Sequence, residues 1–174
     1  ERAVAATKTY TTSLAALALL SALIAEDRER LTQLEQLPEL ADETLRGLQG
    51  IAPAVERYTF VQRGSVIGRG FSYSTAFEVA LKIKELTQVI AEPFSSADFL
   101  HGPISIVTPN FLLILIAPAG RALADIKSLA ATAAERGAEI IAISNDSELL
   151  QQSKTRLPIP RDVPEWLSPA ITVL

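Results

Sequence analysis

The spacing of apolar residues changes near position 57 and divides the chain into two parts. Before that point, apolar positions recur at helical spacing along Thr7–Ala25 and again along Pro38–Val55. We therefore predict an all-helical segment over residues 1–57. This segment is too small to form a stable domain on its own. We therefore expect it to pack on the rest of the chain or to bridge to a part of the protein that lies outside this sequence.

After residue 57, short apolar runs alternate with helix signals. Strands are predicted at Ser65–Ile67, Phe111–Ala117, Glu139–Ser144 and, as a short edge strand, Leu157–Pro160. Helices are predicted at Thr75–Ile90, from Ser95, at Leu123–Arg136 and from Val163 onward. Buried strands that alternate with helices indicate a parallel sheet layered between helices, with functional loops beyond the carboxyl ends of the strands.

Composition and charge restrict the partners. The chain has 174 residues, of which 48% are apolar, and can bury one full core. Its net charge is −4, its pI is near 5.1, and its Lys and Arg residues do not cluster, so we expect neither nucleic acid nor a membrane as a partner. The longest apolar run, Leu14–Ala25, is shorter than the ~18 residues that indicate a spanning helix, and its flanks do not fit a signal peptide.

Two residue counts restrict the chemistry. The chain has no Cys and a single His, which excludes disulfides and thiolate or polyhistidine metal sites. We expect no metal and no cofactor, and we expect the reducing cytoplasm as the location. There is no Met, even at position 1, which predicts a processed chain or a fragment.

The loop Gly68–Thr75 lies between a predicted strand and a predicted helix. It combines two glycines and four hydroxyl side chains with a helix N-terminus, a combination that can cradle an anion. It does not match the dinucleotide-binding fingerprint, because Tyr73 stands at the third glycine position. A tight turn before a helix capped by Thr75 is the simpler interpretation, and both stay open.

A stripe of charged residues follows on the predicted helix. Glu78, Lys82 and Glu85 are spaced i, i+4 and i+7 and therefore share one face. A solvated ladder of ion pairs would explain the stripe without any function. For Glu78 we prefer a structural role, as the acidic partner of Thr75 in a capping box. For Lys82 and Glu85 the sequence alone does not decide.

His101 is the only histidine and stands where a short predicted helix meets Gly102 and Pro103. A helix C-terminus favours the imidazolium form, which suits a residue that donates and recovers a proton. The competing interpretation is that His101 is a surface or core residue with no role in function. A joint role for His101 and Glu85 requires that folding or assembly bring them together.

Several of these segments together resemble the sugar isomerase (SIS) domain family. They are Gly68–Gly70, Thr75–Glu85, Ala91–Glu92 and His101–Pro103. The match runs without a gap from Glu85 to His101, and Val4–Lys8 resembles the family segment that follows the first of two SIS repeats. The resemblance spans nearly the whole chain.

This resemblance implies a three-layer αβα sandwich with a five-stranded parallel sheet, preceded by helices. It also implies an enzyme built from two SIS repeats. Residues 1–57 would then be a helical segment that follows a missing first repeat. Residues 58–174 would be the second SIS domain, truncated before its C-terminal tail.

The resemblance also implies roles for individual residues. Glu85 corresponds to the carboxylate that moves a proton between C1 and C2 of a sugar, and His101 to the histidine that opens the sugar ring. In the family that histidine comes from the neighbouring subunit, so a homodimer is expected. Lys82 corresponds to a lysine beside the active site. Val4 and Ala6 correspond to substrate-binding positions that line the sugar pocket.

Three features depart from the family pattern. The Ser/Thr-rich loop that grips the phosphate belongs to the first repeat, and the family's C-terminal tail carries an essential lysine. Neither is present in this sequence. Ala6 stands where the family has a serine. The chain alone is therefore expected to be inactive.

The expected function is that of a phosphosugar isomerase and aminotransferase acting on fructose 6-phosphate and glucosamine 6-phosphate. One alternative is an amino-sugar phosphate deaminase–isomerase that has no glutaminase domain. Another is a phosphosugar-binding regulatory module, which would have no need for Glu85 and His101.

Overall fold

The core of the protein is a sheet of five parallel strands. In a computed structural model that describes residues 6–174, the strands are β1 (Arg63–Gly68), β2 (Ile90–Ser95), β3 (Leu112–Ala117), β4 (Glu139–Ser144) and β5 (Thr155–Pro158). Their order across the sheet is β2-β1-β3-β4-β5, and every neighbouring pair is parallel. This is the predicted α/β class with its five-stranded parallel sheet.

Nine α-helices surround this sheet within the described residues. They are α1 (Thr7–Ile24), α2 (Arg28–Glu35), α3 (Leu37–Gly47), α4 (Ala52–Glu56), α5 (Ser72–Thr87), α6 (Ser96–Leu100), α7 (Leu123–Glu135), α8 (Ser147–Gln152) and α9 (Ser168–Thr172). A 3-10 turn, Pro103–Ile106, follows α6. Across residues 6–174, none of these helices is both long and apolar enough to span a bilayer.

Each face of the sheet is covered by different helices. On one face, Leu113 and Leu115 of β3 pack against α6, α7 and α8 through Phe99, Ile126 and Leu149. On the other face, alternate residues of the same strands pack against Ala76 and Ala80 of α5. Burial on both faces explains why β3 reads as a continuous apolar run.

The N-terminal helices pack on the second face through α9. Leu37 and Leu40 of α3 form a cluster with Ala170 and Ile171 of α9, and Leu14 of α1 packs at its edge. The helical segment therefore contacts the α/β part of the chain directly. The division into residues 1–57 and 58–174, as parts of two repeats, stays a prediction.

The start of α5 differs from the sequence prediction. We expected Thr75 to cap this helix with Glu78 as its partner, but the helix begins at Ser72 and no side chain caps it. A turn at Gly70, whose φ is +59°, starts the helix earlier. Thr75 is consequently buried, and its hydroxyl donates to the carbonyl oxygen of Pro169 at 3.5 Å.

The end of α5 and strand β2 also differ from the prediction. The helix ends at Thr87, because Gln88 adopts a left-handed conformation with φ of +62°. The chain then forms β2, which we missed because Glu92 and Pro93 are unfavourable strand residues. Proline is tolerated there because β2 is an edge strand. The second predicted capping box is confirmed, since Ser95 Oγ accepts from the backbone N–H of Asp98 at 3.1 Å.

Candidate functional site

The charged stripe predicted from the sequence is a chain of ion pairs on α5. Lys82 Nζ lies 2.8 Å from Oε2 of Glu85 and 3.4 Å from Oε1 of Glu78. The side chains of Lys82 and Glu78 are largely covered, with exposed fractions of 15% and 13%, whereas Glu85 is more open, at 29%. Glu78, to which we had assigned a capping role, instead holds Lys82 from the side opposite Glu85.

The ion pairs fix the charge of Lys82. The hydrogen bond to Glu85 raises the pKa of Lys82 above its ordinary value of 10.5, and the negative charge of Glu78 adds to this against the opposing effect of burial. Lys82 therefore stays an ammonium at neutral pH and cannot act as a base. It can orient the Glu85 carboxylate, whose other oxygen, Oε1, accepts no hydrogen bond from the described residues.

This raised pKa predicts a pH-dependent contribution to stability. The folded state holds the Lys82 proton more tightly than the unfolded chain does. The stabilisation is therefore complete below pH 10.5 and is lost as the pH rises through the higher folded pKa. Between about pH 8 and 10 we expect Lys82→Gln to destabilise the protein by a constant amount, and above about pH 10.5 this difference should shrink.

Urea unfolding at a series of pH values measures this effect. Lys154→Gln is the matched control, because Lys154 is exposed and forms no ion pair with any described residue. A difference between wild type and Lys82→Gln that stays constant to about pH 11.5 would contradict the assignment.

The structure does not bring Glu85 and His101 together within one chain. Glu85 is on α5, which packs on one face of the sheet, whereas His101 follows α6, which packs on the opposite face through Phe99. His101 is exposed, and only its backbone is fixed, with its N–H donating to the carbonyl oxygen of Asp98 at 3.1 Å. Within one chain, the two residues therefore belong to helical segments on opposite faces of the sheet.

The two predicted substrate-binding positions lie at the N-terminus. Ala6 precedes the first turn of α1 and is half-buried. Val4 lies outside the described residues. Their assignment to the sugar pocket stays a prediction.

A crevice opens where β1 and β3 end side by side. The chain leaves β1 to form α5 on one face and leaves β3 to form α7 on the other, so the crevice lies at the topological switch point of the sheet. Its volume is about 760 Å³, and it is lined by Arg30, Arg69, Gly70, Phe71, Arg121, Ala122, Asp125, Glu165 and Trp166. The sequence suggested only the Gly68–Thr75 loop here, because the other lining residues are distant along the chain.

The parallel sheet, the switch-point crevice and the ion-paired carboxylate on α5 define an α/β domain of the kind that binds small molecules. The SIS domain family model matches residues 62–172, which is more than half of the chain. The chain belongs to the SIS domain family.

Several proteins that resemble this chain over nearly its whole length are described as fructose-6-phosphate aminotransferases. The glutamine–fructose-6-phosphate aminotransferase (isomerizing) of Aquifex aeolicus is 33% identical over 100% of this chain and 30% of its own length. That of Pyrococcus horikoshii is 37% identical over 97% of this chain and 29% of its own length. The C-terminal domain of glucosamine-fructose-6-phosphate aminotransferase from Francisella tularensis superposes with a TM-score of 0.83 at 25% identity, covering 98% of this chain and 53% of that one. The chain thus spans about 30% of the length of these two curated relatives.

Proposed function

We propose that this chain is the part of a phosphosugar isomerase and aminotransferase that supplies the proton-transfer residues. The substrates would be fructose 6-phosphate and an amino donor, and the product would be glucosamine 6-phosphate. Relatives described as glutamine–fructose-6-phosphate aminotransferases support this assignment. The observation that carries it is the Glu85 carboxylate, which is partly exposed and is held by Lys82 at 2.8 Å.

Glu85 would act as the base and then as the acid of the isomerisation. Ammonia from the amino donor would first condense with the C2 carbonyl of the open-chain ketose, which forms an imine and releases water. The Glu85 carboxylate would then remove a proton from C1 and return it to C2, while the proton of the C1 hydroxyl moves to the imine nitrogen, which gives the C1 aldehyde and the C2 amine. Lys82 Nζ already binds one oxygen of Glu85, so the other oxygen is left to meet the substrate. Lys82 would orient the carboxylate, and Glu78 would hold Lys82 in place.

His101 would open the sugar ring in the active site of a partner subunit. The packing of α5 and α6 on opposite faces of the sheet supports this role, because it separates His101 from Glu85 of the same chain. The enzyme would then be a homodimer in which each site takes Glu85 from one copy and His101 from the other. Val4 and Ala6 would line the same pocket, and the enzyme would work in the cytoplasm.

A hexosamine-phosphate deaminase–isomerase would use the same residues in the reverse direction. A phosphosugar-binding regulatory module would not need them. The ion pair between Glu85 and Lys82 favours the enzymes over the module, because a module that only binds needs no carboxylate oriented for proton transfer.

The test is an assay of the longest polypeptide that the gene encodes. Fructose 6-phosphate is supplied with glutamine, with ammonium or with neither, and glucosamine 6-phosphate is measured; the reverse reaction starts from glucosamine 6-phosphate. Glutamine-dependent synthesis is the expected result. Conversion only in the deaminating direction would favour the deaminase–isomerase. Binding of these sugar phosphates without any conversion would favour the regulatory module and contradict the proposal. We expect residues 1–174 alone to be inactive.

A further inference from the structure

A groove lies on the face of the sheet opposite α5, at the amino ends of β1 and β2. Its volume is about 490 Å³, and its lining includes Arg63, Ile90, Glu92, Ile106, Thr108 and Phe111. Ile67 of β1 and Phe94 of β2 pack on this face. Because side chains alternate along a strand, Arg63 and Glu92 point to the same side. Glu85 is on α5, on the other face, so the groove is separate from the proposed proton-transfer site.

Two opposite charges in this groove have no partner. Arg63 and Glu92 are both exposed, and neither forms an ion pair or a side-chain hydrogen bond with any described residue. Arg63 is the register partner of Ile90, so it lies one strand away from Glu92 and two residues from it along the strand direction. With strands about 4.8 Å apart and a rise of about 3.3 Å per residue, the two positions are roughly 8 Å apart. Side chains that stand perpendicular to the sheet keep this spacing.

A buried hydroxyl group beside Glu92 also lacks a partner. Ser65 lies next to Glu92 across the β1–β2 pair and faces the same side of the sheet. The residue is 1% exposed, and its Oγ forms no hydrogen bond with any described residue. Nearly all buried hydroxyl groups in proteins have a hydrogen-bond partner, because an unpaired one has lost its bonds to water without replacement. The Ser65 hydroxyl is thus available to a polar group that binds beside Glu92.

The rest of the lining is largely apolar. Ile90 and Ile106 are exposed in the groove, and Phe111 packs at the edge of the core. Ile90 is the register partner of Arg63, so this apolar surface begins beside the positive charge. A concave site that combines apolar surface with a few polar groups is typical of small-molecule binding. The matching occupant has one positive group, one negative group and an apolar part.

We infer that this groove binds an aliphatic α-amino acid such as leucine. The carboxylate of the ligand accepts hydrogen bonds from the Arg63 guanidinium, and its ammonium group donates to Glu92 and to Ser65 Oγ. The nitrogen and the carboxylate carbon of an amino acid are about 2.5 Å apart. A charge-assisted hydrogen bond at each end adds about 2.8 Å, so the molecule bridges roughly 8 Å, the spacing of Arg63 and Glu92. The aliphatic side chain lies on Ile90 and Ile106.

Isothermal titration calorimetry with L-leucine, on the longest polypeptide that the gene encodes, tests the inference. We expect saturable binding. Two analogues each lack one charge, since 4-methylpentanoate has no ammonium group and 3-methylbutylamine has no carboxylate. Each should bind about tenfold more weakly or worse, because it loses one of the two charged contacts. Leucine shares neither the hexose nor the phosphate of the proposed substrates, and its affinity should be unchanged in Glu85→Gln, so failure of this inference and failure of the proposed function are distinguishable.

Three substitutions test the individual contacts. Arg63→Gln and Glu92→Gln should each weaken leucine binding about tenfold or more. Ser65→Ala should weaken it several-fold and yet raise the thermal stability of the ligand-free protein, because it removes an unpaired buried hydroxyl. Lys154→Gln and Glu135→Gln are the matched controls and should leave the affinity unchanged, since both residues are exposed and form no ion pair with any described residue. The inference is overturned by absence of saturable leucine binding, by equal affinities for leucine and both analogues, or by wild-type affinity in Arg63→Gln or Glu92→Gln.

Discussion

Replacing Glu85 with glutamine should lower the rate of isomerisation by about 10²–10⁴-fold, the usual contribution of a positioned proton-transfer group. The amide has the same shape as the carboxylate but cannot accept a proton from C1. Lys82 loses one of its two charged partners but keeps Glu78 at 3.4 Å, so the fold should survive. The loss should therefore appear in kcat, with little change in substrate affinity. Steady-state kinetics of the full-length gene product measures both quantities.

The control for this substitution is Glu135→Gln. Glu135 is exposed on α7 and forms no ion pair with any described residue, so the same change of charge should leave kcat unchanged. Thermal unfolding of both variants checks that neither has lost its structure. Wild-type kcat in Glu85→Gln would show that another residue moves the proton.

Replacing Gly68 with alanine should destabilise the protein by about 1–3 kcal/mol, the usual cost of forcing an extra methyl group into a packed site. A Cβ atom at Gly68 would come within 2.2 Å of the carbonyl oxygen of Ser72, in the first turn of α5. Because the obstacle is backbone, it cannot turn aside as a side chain would. Helix α5 must shift, and the lining of the crevice at Phe71 must shift with it.

Gly47→Ala is the matched control for Gly68→Ala. Gly47 is the last residue of α3, and an added Cβ there would meet no heavy atom within 4 Å. It should stabilise the protein by about 0.5–1 kcal/mol, because alanine loses less backbone entropy on folding. Guanidinium unfolding curves measure both changes. Equal stabilities of the two variants would contradict the close packing of β1 against α5.

The sequence predicted the buried strands well and the edge of the sheet poorly. β3 and β4 are buried on both faces, so their apolar runs are continuous and easy to recognise. β2 has a single neighbouring strand, and an edge strand tolerates residues such as Glu92 and Pro93. Because these residues interrupt the apolar pattern, the sequence did not indicate a strand there. The α/β class could therefore be predicted, whereas the exact topology could not.

The positions of Glu85 and His101 follow from this topology. From β1 the chain moves outward to β2 and then returns past β1 to β3. Right-handed crossovers in opposite directions place their helices on opposite faces of the sheet, so α5 and α6 must lie on different sides. Without the strand order, the sequence left open whether the two residues meet within one chain.

The role of Glu78 and the lining of the crevice show two further limits of the sequence. The spacing of Thr75 and Glu78 fits a capping box, but an earlier turn starts the helix and frees Glu78 to bind Lys82. Arg121 and Glu165 are 44 residues apart and meet only because the fold brings the segment after β3 against the segment before α9. No local pattern marks such a contact.

The central claim is that Glu85 of one subunit and His101 of another act on the same sugar. Its most direct test uses heterodimers that combine one Glu85→Gln subunit with one His101→Ala subunit, isolated through two different affinity tags. If each site takes Glu85 from one subunit and His101 from the other, one site of this dimer combines the two substituted residues. The other site combines the two wild-type residues.

We expect each parent homodimer to be nearly inactive and the heterodimer to recover about half of the wild-type activity, since one of its two sites is intact. If both residues came from the same subunit, every site in the heterodimer would lack one of them. Heterodimer activity no higher than that of the parents would therefore contradict the account.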